Sequence, residues 1–251
     1  MSPIPPEGPA PPPAGRAVQK HPRAVRWMHW VNVPLLTVMT WSGLLIYWAY
    51  DPYRIGWGET TLLALFPDGF YEALGVPRQL AKGMAYHFFF GWLFAINGVL
   101  YVLYTAFSGE WRHLVPDRHA LRESVHVALH DVGLRKTLPP QGRYNAAQRL
   151  TYSAVIGMGA VMVLTGFAIW KPTQLAWLTG LFGGYQAART VHFVVTVLFA
   201  LFAVVHVAQV VRAGAANFWS MVVGYERTRA ETADPFVDAP AVPAEPAPET
   251  P

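Results

Sequence analysis

Residues 190–211 read TVHFVVTVLFALFAVVHVAQVV and contain no Asp, Glu, Lys or Arg. A helix of these 22 residues can cross the hydrocarbon core of a bilayer, which takes about 20 residues. The stretch nevertheless includes two ionisable side chains, His192 and His206. Such groups are costly at membrane depth and usually face the interior of a helix bundle. The stretch therefore predicts a membrane span that contributes two residues to a functional site.

Three further uncharged stretches have the length of a membrane span. They comprise residues 27–50, 83–109 and 150–170. The first is too long for the core of a signal peptide and lacks a small-residue cleavage site, so we expect it to be retained. The composition agrees with a membrane protein, since 53% of the residues are hydrophobic and only 14% are charged. The sequence thus predicts an all-α integral membrane protein with a bundle of four transmembrane helices.

The distribution of basic residues indicates the orientation of this bundle. Fourteen of the 19 Lys and Arg residues lie before the first span, between the second and third spans, or after the fourth. The positive-inside rule therefore places both termini in the cytoplasm. Residues 1–22 are rich in proline, and residues 226–251 are rich in Ala, Pro and acids. We expect both to be disordered cytoplasmic tails that flank a membrane domain of residues 23–225.

Four of the nine histidines fall within the predicted spans. By this topology His29 and His206 lie in the cytoplasmic half of the bilayer, and His87 and His192 lie in the outer half. On the fourth span, fourteen residues correspond to about 21 Å of rise and an angular offset of roughly 40°, so both rings point into the same side of the bundle. The sequence predicts two histidine pairs, one near each surface, with each pair drawn from two helices.

Histidine pairs of this kind suit haem iron. The chain has no cysteine, which excludes disulfides, thiolate-bound zinc, cysteine-bound iron–sulfur clusters and covalent c-type haem. A six-coordinate haem needs an axial nitrogen on each face and an apolar slot, and facing helices supply both. One alternative is that each histidine forms a hydrogen bond across helices. Another is a mononuclear metal site, although two imidazoles provide too few ligands for most metal ions. His126 and His130 have the i, i+4 spacing of metal ligands, but no third ligand is evident.

Two amides, Asn145 and Gln148, precede the third span. One interpretation is a capping box, because Asn145 is a good N-cap and Gln148 falls at position N3. The other is that both amides bind a quinone head group beside the cytoplasmic haem. The residues alone leave both interpretations open.

The chain resembles the di-haem cytochrome b subunits of membrane-bound formate dehydrogenases, nickel–iron hydrogenases and thiosulfate reductases. The resemblance covers roughly residues 20–225 and rests on motifs in or beside the spans. These are Arg26-x-x-His29-Trp30, His87, Tyr144-Asn145-x-x-Gln148, and His192 with His206.

The resemblance implies two haem b groups, one ligated by His29 and His206 on the cytoplasmic side and the other by His87 and His192 on the outer side. It also implies a quinone site formed by the two amides, with menaquinone or ubiquinone as the exchangeable substrate.

The function implied is electron transfer between the quinone pool and an outer-face redox partner in the bacterial cytoplasmic (inner) membrane. The sequence shows no catalytic triad or phosphate loop, so we expect any substrate chemistry other than that of the quinone to take place in the partner. The partner is expected to be a molybdenum enzyme, an iron–sulfur protein or a cytochrome. The aromatic loop of residues 51–82 is the expected docking surface for this partner.

The alternative function is that of a haem-free membrane anchor. A transporter that uses the histidines as a relay ranks below it, because we find no inverted repeats in the sequence. The positive-inside rule accounts for the basic loop, so we expect no nucleic-acid role.

Overall fold

The computed structural model describes residues 17–49, 53–57, 60–131, 133–135, 137 and 146–227 of the 251-residue chain. The helices in this part of the chain are α1 (Arg23–Tyr47), α2 (Asp68–Ala73), α3 (Leu80–Ser108), α4 (Trp111–Leu114), α5 (Ala120–Asp131), α6 (Ala146–Trp170), α7 (Ala176–Leu181), α8 (Tyr185–Ala213) and α9 (Ala215–Val223). The strands are β1 (Ala17–Gln19), β2 (Arg54–Trp57), β3 (Thr60–Ala64) and β4 (Tyr225–Arg227).

Four of these helices, α1, α3, α6 and α8, are long and apolar enough to span a bilayer. They overlap the four uncharged stretches over most of their length, which confirms the predicted fold class of an all-α membrane protein with four spanning helices. All four helices begin three to five residues before the corresponding uncharged stretch, because a helix continues into the headgroup layer where Lys and Arg side chains reach water.

Helices α1 and α3 run antiparallel and pack closely. Near one end, the backbone of α1 lies so close to Gly83 that a methyl group there would come within 2.7 Å of Leu45 Cβ. Towards the other end, the Asn97 side chain donates hydrogen bonds to the Met28 carbonyl oxygen (3.0 Å) and to Asn32 Oδ1 (2.9 Å). A small residue and a buried polar residue thus set the register of the two helices, as is common in membranes.

The connection between α1 and α3 contains the antiparallel pair β2–β3 and helix α2. The Tyr47 hydroxyl accepts a hydrogen bond from the Tyr53 amide (2.7 Å), and the buried Tyr71 hydroxyl donates to the Leu44 carbonyl oxygen (2.9 Å). Burial, together with the nearby Tyr47, raises the pKa of Tyr71 to about 12, so its hydroxyl remains a donor at neutral pH. The loop is therefore fastened to the end of α1.

At the opposite end of the bundle, the connection from α3 to α6 contains α4 and α5. The Arg149 guanidinium donates to the Val115 carbonyl oxygen (2.5 Å) and to the Asp117 carboxylate (3.0 Å). The Ser153 hydroxyl donates to the Leu114 carbonyl oxygen (3.0 Å). These bonds attach the basic connection to the first two turns of α6.

A second compact unit comprises, among the described residues, 17–22 and 210–227. Within it β1 and β4 pair antiparallel, with Val18 opposite Glu226, and Lys20 Nζ donates to Asn217 Oδ1 at 3.0 Å. The strand pair joins residues at the inner edges of the two segments expected to be tails. The rest of those segments lies outside the described residues.

Candidate haem-binding site

The structure brings the four membrane histidines together in two pairs. The ring centres of His29 on α1 and His206 on α8 are 6.0 Å apart, with an interplanar angle of 60°. The ring centres of His87 on α3 and His192 on α8 are 6.2 Å apart, with an interplanar angle of 64°. Helix α8 therefore contributes one ring to each pair, and α1 and α3 contribute the others.

These separations match two imidazoles that share one metal ion. A metal–nitrogen bond is about 2 Å and the ring centre lies roughly 1 Å behind the nitrogen, so opposite axial imidazoles have centres about 6 Å apart. Two hydrogen-bonded imidazoles would have centres no more than about 5 Å apart. Direct hydrogen bonding between the rings therefore does not explain either pair.

Helix α8 meets the other spanning helices through side chains rather than through close backbone approach. The backbone of α8 stands away from those of α1, α3 and α6, whereas α1 and α3 pack closely. Side chains bridge the interval, as in the stack of Tyr47 on Phe193, whose ring centres are 5.3 Å apart. Among the described residues, no group of three or more His, Asp or Glu side chains could hold a metal ion. Haem fits the pairs because it supplies four nitrogens of its own.

The rings of the His29–His206 pair, which the predicted topology places in the inner half of the bilayer, differ in their surroundings. The Nδ1 atom of His29 is buried and has no hydrogen-bond partner among the described residues. The ring of His206 stacks on Phe202, with centres 5.5 Å apart and an interplanar angle of 23°. The two contacts show that His29 Nδ1 lacks the hydroxyl partner that His87 and His192 have, and that the His206 ring is held by an aromatic neighbour.

In the His87–His192 pair, which we call the outer pair after the predicted topology, each ring contacts a buried hydroxyl on a neighbouring helix. His87 Nδ1 lies 3.0 Å from Ser42 Oγ on α1, and His192 Nδ1 lies 2.9 Å from Thr165 Oγ1 on α6. Sequence analysis did not identify these two residues, since a lone hydroxyl in a membrane helix usually bonds its own backbone. The only signal in the sequence is that each hydroxyl residue is followed by a glycine, Gly43 and Gly166.

Only one of the two amides predicted to form the quinone site lies within the described residues. Gln148 is exposed and lies in the first turn of α6, at the end of the bundle where α1 begins and α8 ends. Asn145 lies outside the described residues, so both the capping box and the quinone site stay predictions. His126 and His130 lie on α5, where the described residues offer no third metal ligand.

Comparison with known proteins agrees with this geometry. Residues 20–224 match the profile of a family described as prokaryotic cytochrome b561, a range that includes all four histidines and all four long helices. The chain is also 33% identical over 191 residues to the putative protein-methionine-sulfoxide reductase subunit YedZ1 of Azospira oryzae, over 76% of this chain and 89% of that protein. The chain belongs to the prokaryotic cytochrome b561 family and is a multi-pass bacterial membrane protein of the haem b, electron-transferring class.

Proposed function

We propose that the protein is a di-haem cytochrome that transfers electrons between the quinone pool and a redox partner on the outer face of the bacterial inner membrane. The observation that supports it best is the pair of histidine–histidine contacts, with ring centres 6.0 and 6.2 Å apart. Both values agree with bis-histidine ligation of a single iron, and the two contacts lie in opposite halves of the bundle.

In this proposal His29 and His206 ligate an inner haem, and His87 and His192 ligate an outer haem. When bound, each haem supplies a one-electron couple. The protein's contribution is to hold the axial nitrogens, set the spacing and exclude water. Because His192 and His206 belong to one continuous helix, these two residues are separated by about 21 Å along its axis.

The quinone site is assigned to Asn145 and Gln148 at the inner end of the bundle. Its support is chemical and topological, since amides can hydrogen-bond quinone oxygens and Gln148 lies at the same end as His29 and His206. Menaquinone and ubiquinone both meet this requirement. Oxidation of a quinol at this site would supply two electrons and release two protons on the cytoplasmic side.

The proposed partner is a reductase that repairs oxidised methionine in proteins. The support is the name of the Azospira relative, a putative subunit of a protein-methionine-sulfoxide reductase. Reduction of a methionine sulfoxide consumes two electrons and two protons and yields methionine and water, which balances the oxidation of one quinol. The His29–His206 pair would hold the haem nearer the quinone, and the His87–His192 pair would hold the haem nearer the partner.

The loop between α1 and α3 is the proposed contact surface for that partner. Its aromatic rings stack towards the outer histidine pair, with the ring of Tyr53 centred 4.5 Å from that of Phe193, the residue after His192. Phe66 and Phe70 extend the cluster, with ring centres 4.8 Å apart. Tyr71, which we assigned to the same surface from the sequence, is buried and bonded to α1 instead.

The test is a dithionite-reduced minus oxidised absorbance spectrum of the detergent-purified protein, with a pyridine haemochrome assay of haem per chain. We expect about two b-type haems per chain, reducible by a soluble quinol analogue. One haem would contradict the two-pair assignment. A folded protein without haem, produced with adequate haem supply, would overturn electron transfer and favour a haem-free anchor.

A further inference from the structure

The two outer histidines share a structural device that the inner histidines lack among the described residues. Each Nδ1 atom contacts the hydroxyl of a residue that belongs to another helix and is followed by glycine: Ser42 with Gly43 for His87, and Thr165 with Gly166 for His192. Both hydroxyl residues are 0% exposed, so water cannot replace either partner. Two unrelated helices, α1 and α6, thus present the same arrangement to the two ligands of one proposed haem.

The hydrogen-bond pattern around Ser42 defines the tautomer of His87. Ser42 Oγ lies 3.1 Å from the Met39 carbonyl oxygen, which can only accept a hydrogen bond. The hydroxyl has one proton, so donating it to Met39 leaves only its lone pairs for the imidazole. Both contacts are satisfied only if His87 Nδ1 bears the ring proton and donates it to Ser42. The lone pair of the ring is then on Nε2, which would be the nitrogen available to ligate an iron.

The same argument applies to Thr165 and His192. Thr165 Oγ1 donates to the Val161 carbonyl oxygen at 2.6 Å, in the preceding turn of α6. Its lone pairs therefore face His192 Nδ1, which must be the donor. Both outer rings are consequently held in the Nδ1-protonated form by the protein itself.

The glycine beside each hydroxyl leaves room next to the ring. A methyl group at Gly43 would lie 3.7 Å from His87 Cε1, and one at Gly166 would lie 3.6 Å from His192 Cε1. These are ordinary van der Waals distances, so an alanine would fit at either position and the glycines do not force the rings into place. The hydrogen bond to the hydroxyl is therefore the contact that defines the position of each ring.

We propose that Ser42 and Thr165 are positioning residues that fix the tautomer and plane of His87 and His192 and thereby set the reduction potential of the outer haem. The inference rests on the proposed function, because it requires a bis-histidine haem at this pair. Hydrogen-bond donation from Nδ1 increases the basicity of a metal-bound imidazole. A more basic ligand stabilises ferric over ferrous iron, so these contacts lower the potential of the outer haem.

The test is a redox titration of the purified full-length protein, followed by absorbance, for Ser42→Ala and Thr165→Val. Each variant removes the hydroxyl acceptor and leaves the backbone carbonyl oxygens of Met39 and Met162 beside His87 and His192. Because a carbonyl oxygen replaces the hydroxyl only in part, we expect the outer potential to rise while the inner potential stays unchanged. A tenfold change in the equilibrium corresponds to about 59 mV for a one-electron couple. The conservative variants Ser42→Thr and Thr165→Ser, which retain a hydroxyl, are expected to keep the parent potential. The control is Thr37→Val, because Thr37 on α1 donates to the Val33 carbonyl oxygen and contacts neither outer ring.

The outcomes separate the inference from the proposed function. A rise confined to one haem, or loss of one haem that the conservative variant restores, supports the role of the hydroxyls. Two haems with unchanged potentials in both variants, or an equal shift in Thr37→Val, would overturn it while leaving the di-haem assignment intact. Absence of haem from the parent protein would instead refute the proposed function. The electron paramagnetic resonance signal of the oxidised outer haem gives a second readout, since it reports the orientation of the axial rings.

Discussion

Replacing Gly83 by alanine should separate α1 from α3 and disturb the outer haem through His87. Gly83 lies one turn before His87 on the same face of α3. A Cβ atom at this position would lie 2.7 Å from Leu45 Cβ and 3.1 Å from the Ser42 carbonyl oxygen. The obstacles include backbone and a Cβ atom, which cannot rotate away, so the helices themselves must move.

The size of that movement follows from contact distances. Non-bonded carbon atoms are most stable about 3.5–4.0 Å apart, so the 2.7 Å contact requires a separation of roughly 1 Å. Overpacking of this kind costs about 1–3 kcal/mol, or about 2–4 °C of Tm per kcal/mol in a chain of this size. The bond between Ser42 Oγ and His87 Nδ1, now 3.0 Å, would lengthen to about 4 Å and be lost.

The assay is thermal unfolding in detergent, followed by circular dichroism and by haem absorbance, together with the redox titration described above. Gly98→Ala is the matched control, because Gly98 is on the same helix and an added methyl group there meets nothing within 4 Å. We expect Gly83→Ala to unfold at lower temperature than Gly98→Ala and to raise the outer potential as Ser42→Ala does. If the two glycine variants are equally stable and have equal potentials, the proposed close contact does not control this region.

Three further predictions address other parts of the bundle. His206→Ala should remove one haem per chain by pyridine haemochrome assay and leave the other, because the outer pair does not use this ring; loss of both haems would show that the sites are not independent. Asn97→Leu removes both hydrogen bonds to α1 and should destabilise the protein by about 1–3 kcal/mol in thermal unfolding, and an unchanged Tm would be inconsistent with a role in helix register. The His119 amide and Arg149 hold the pKa of the Asp117 carboxyl below its ordinary value of 3.8. The ionised carboxylate therefore contributes its full stabilisation above pH 3.8, and this stabilisation is lost as the pH falls through the lower pKa of the folded protein. Limited proteolysis of the loop between α3 and α6 should therefore accelerate in acid with an acid-stable protease, and Asp117→Asn should already be susceptible at neutral pH.

The sequence was most informative where one physical requirement dominates. A span must exclude charged groups over about 20 residues, so four uncharged stretches were enough to predict the four long helices. A histidine at membrane depth must face the bundle interior, so depth alone indicated which rings would meet. Both conclusions depend on local composition and on helix geometry, which are independent of the details of packing.

The contacts that position these rings depend on tertiary packing and were not predictable in the same way. Ser42 and Thr165 bond to their own backbones, as isolated helical hydroxyls do, and only the approach of α3 and α8 gives them a second partner. The pair β2–β3 was also missed, because residues 54–64 show no regular alternation of polar and apolar side chains. Between Asn145 and Gln148, the capping and quinone interpretations require the same residues at the same spacing, so no sequence pattern can separate them.

The third spanning helix shows why a helix without a ligand is still part of the proposed pathway. Helix α6 contains no histidine, yet its Thr165 contacts the outer ligand His192, and its Gln148 lies at the inner end where the quinone site is proposed. Seventeen residues separate these two positions, or about 25 Å of helix rise, which is close to the separation of the two histidines on α8. A continuous helix of this length links the residue proposed to orient the outer haem ligand to the residue proposed to bind the electron donor. Variants at the two ends of α6 should therefore have separable effects, with Thr165 altering the outer potential and Gln148 altering the rate of reduction by quinol.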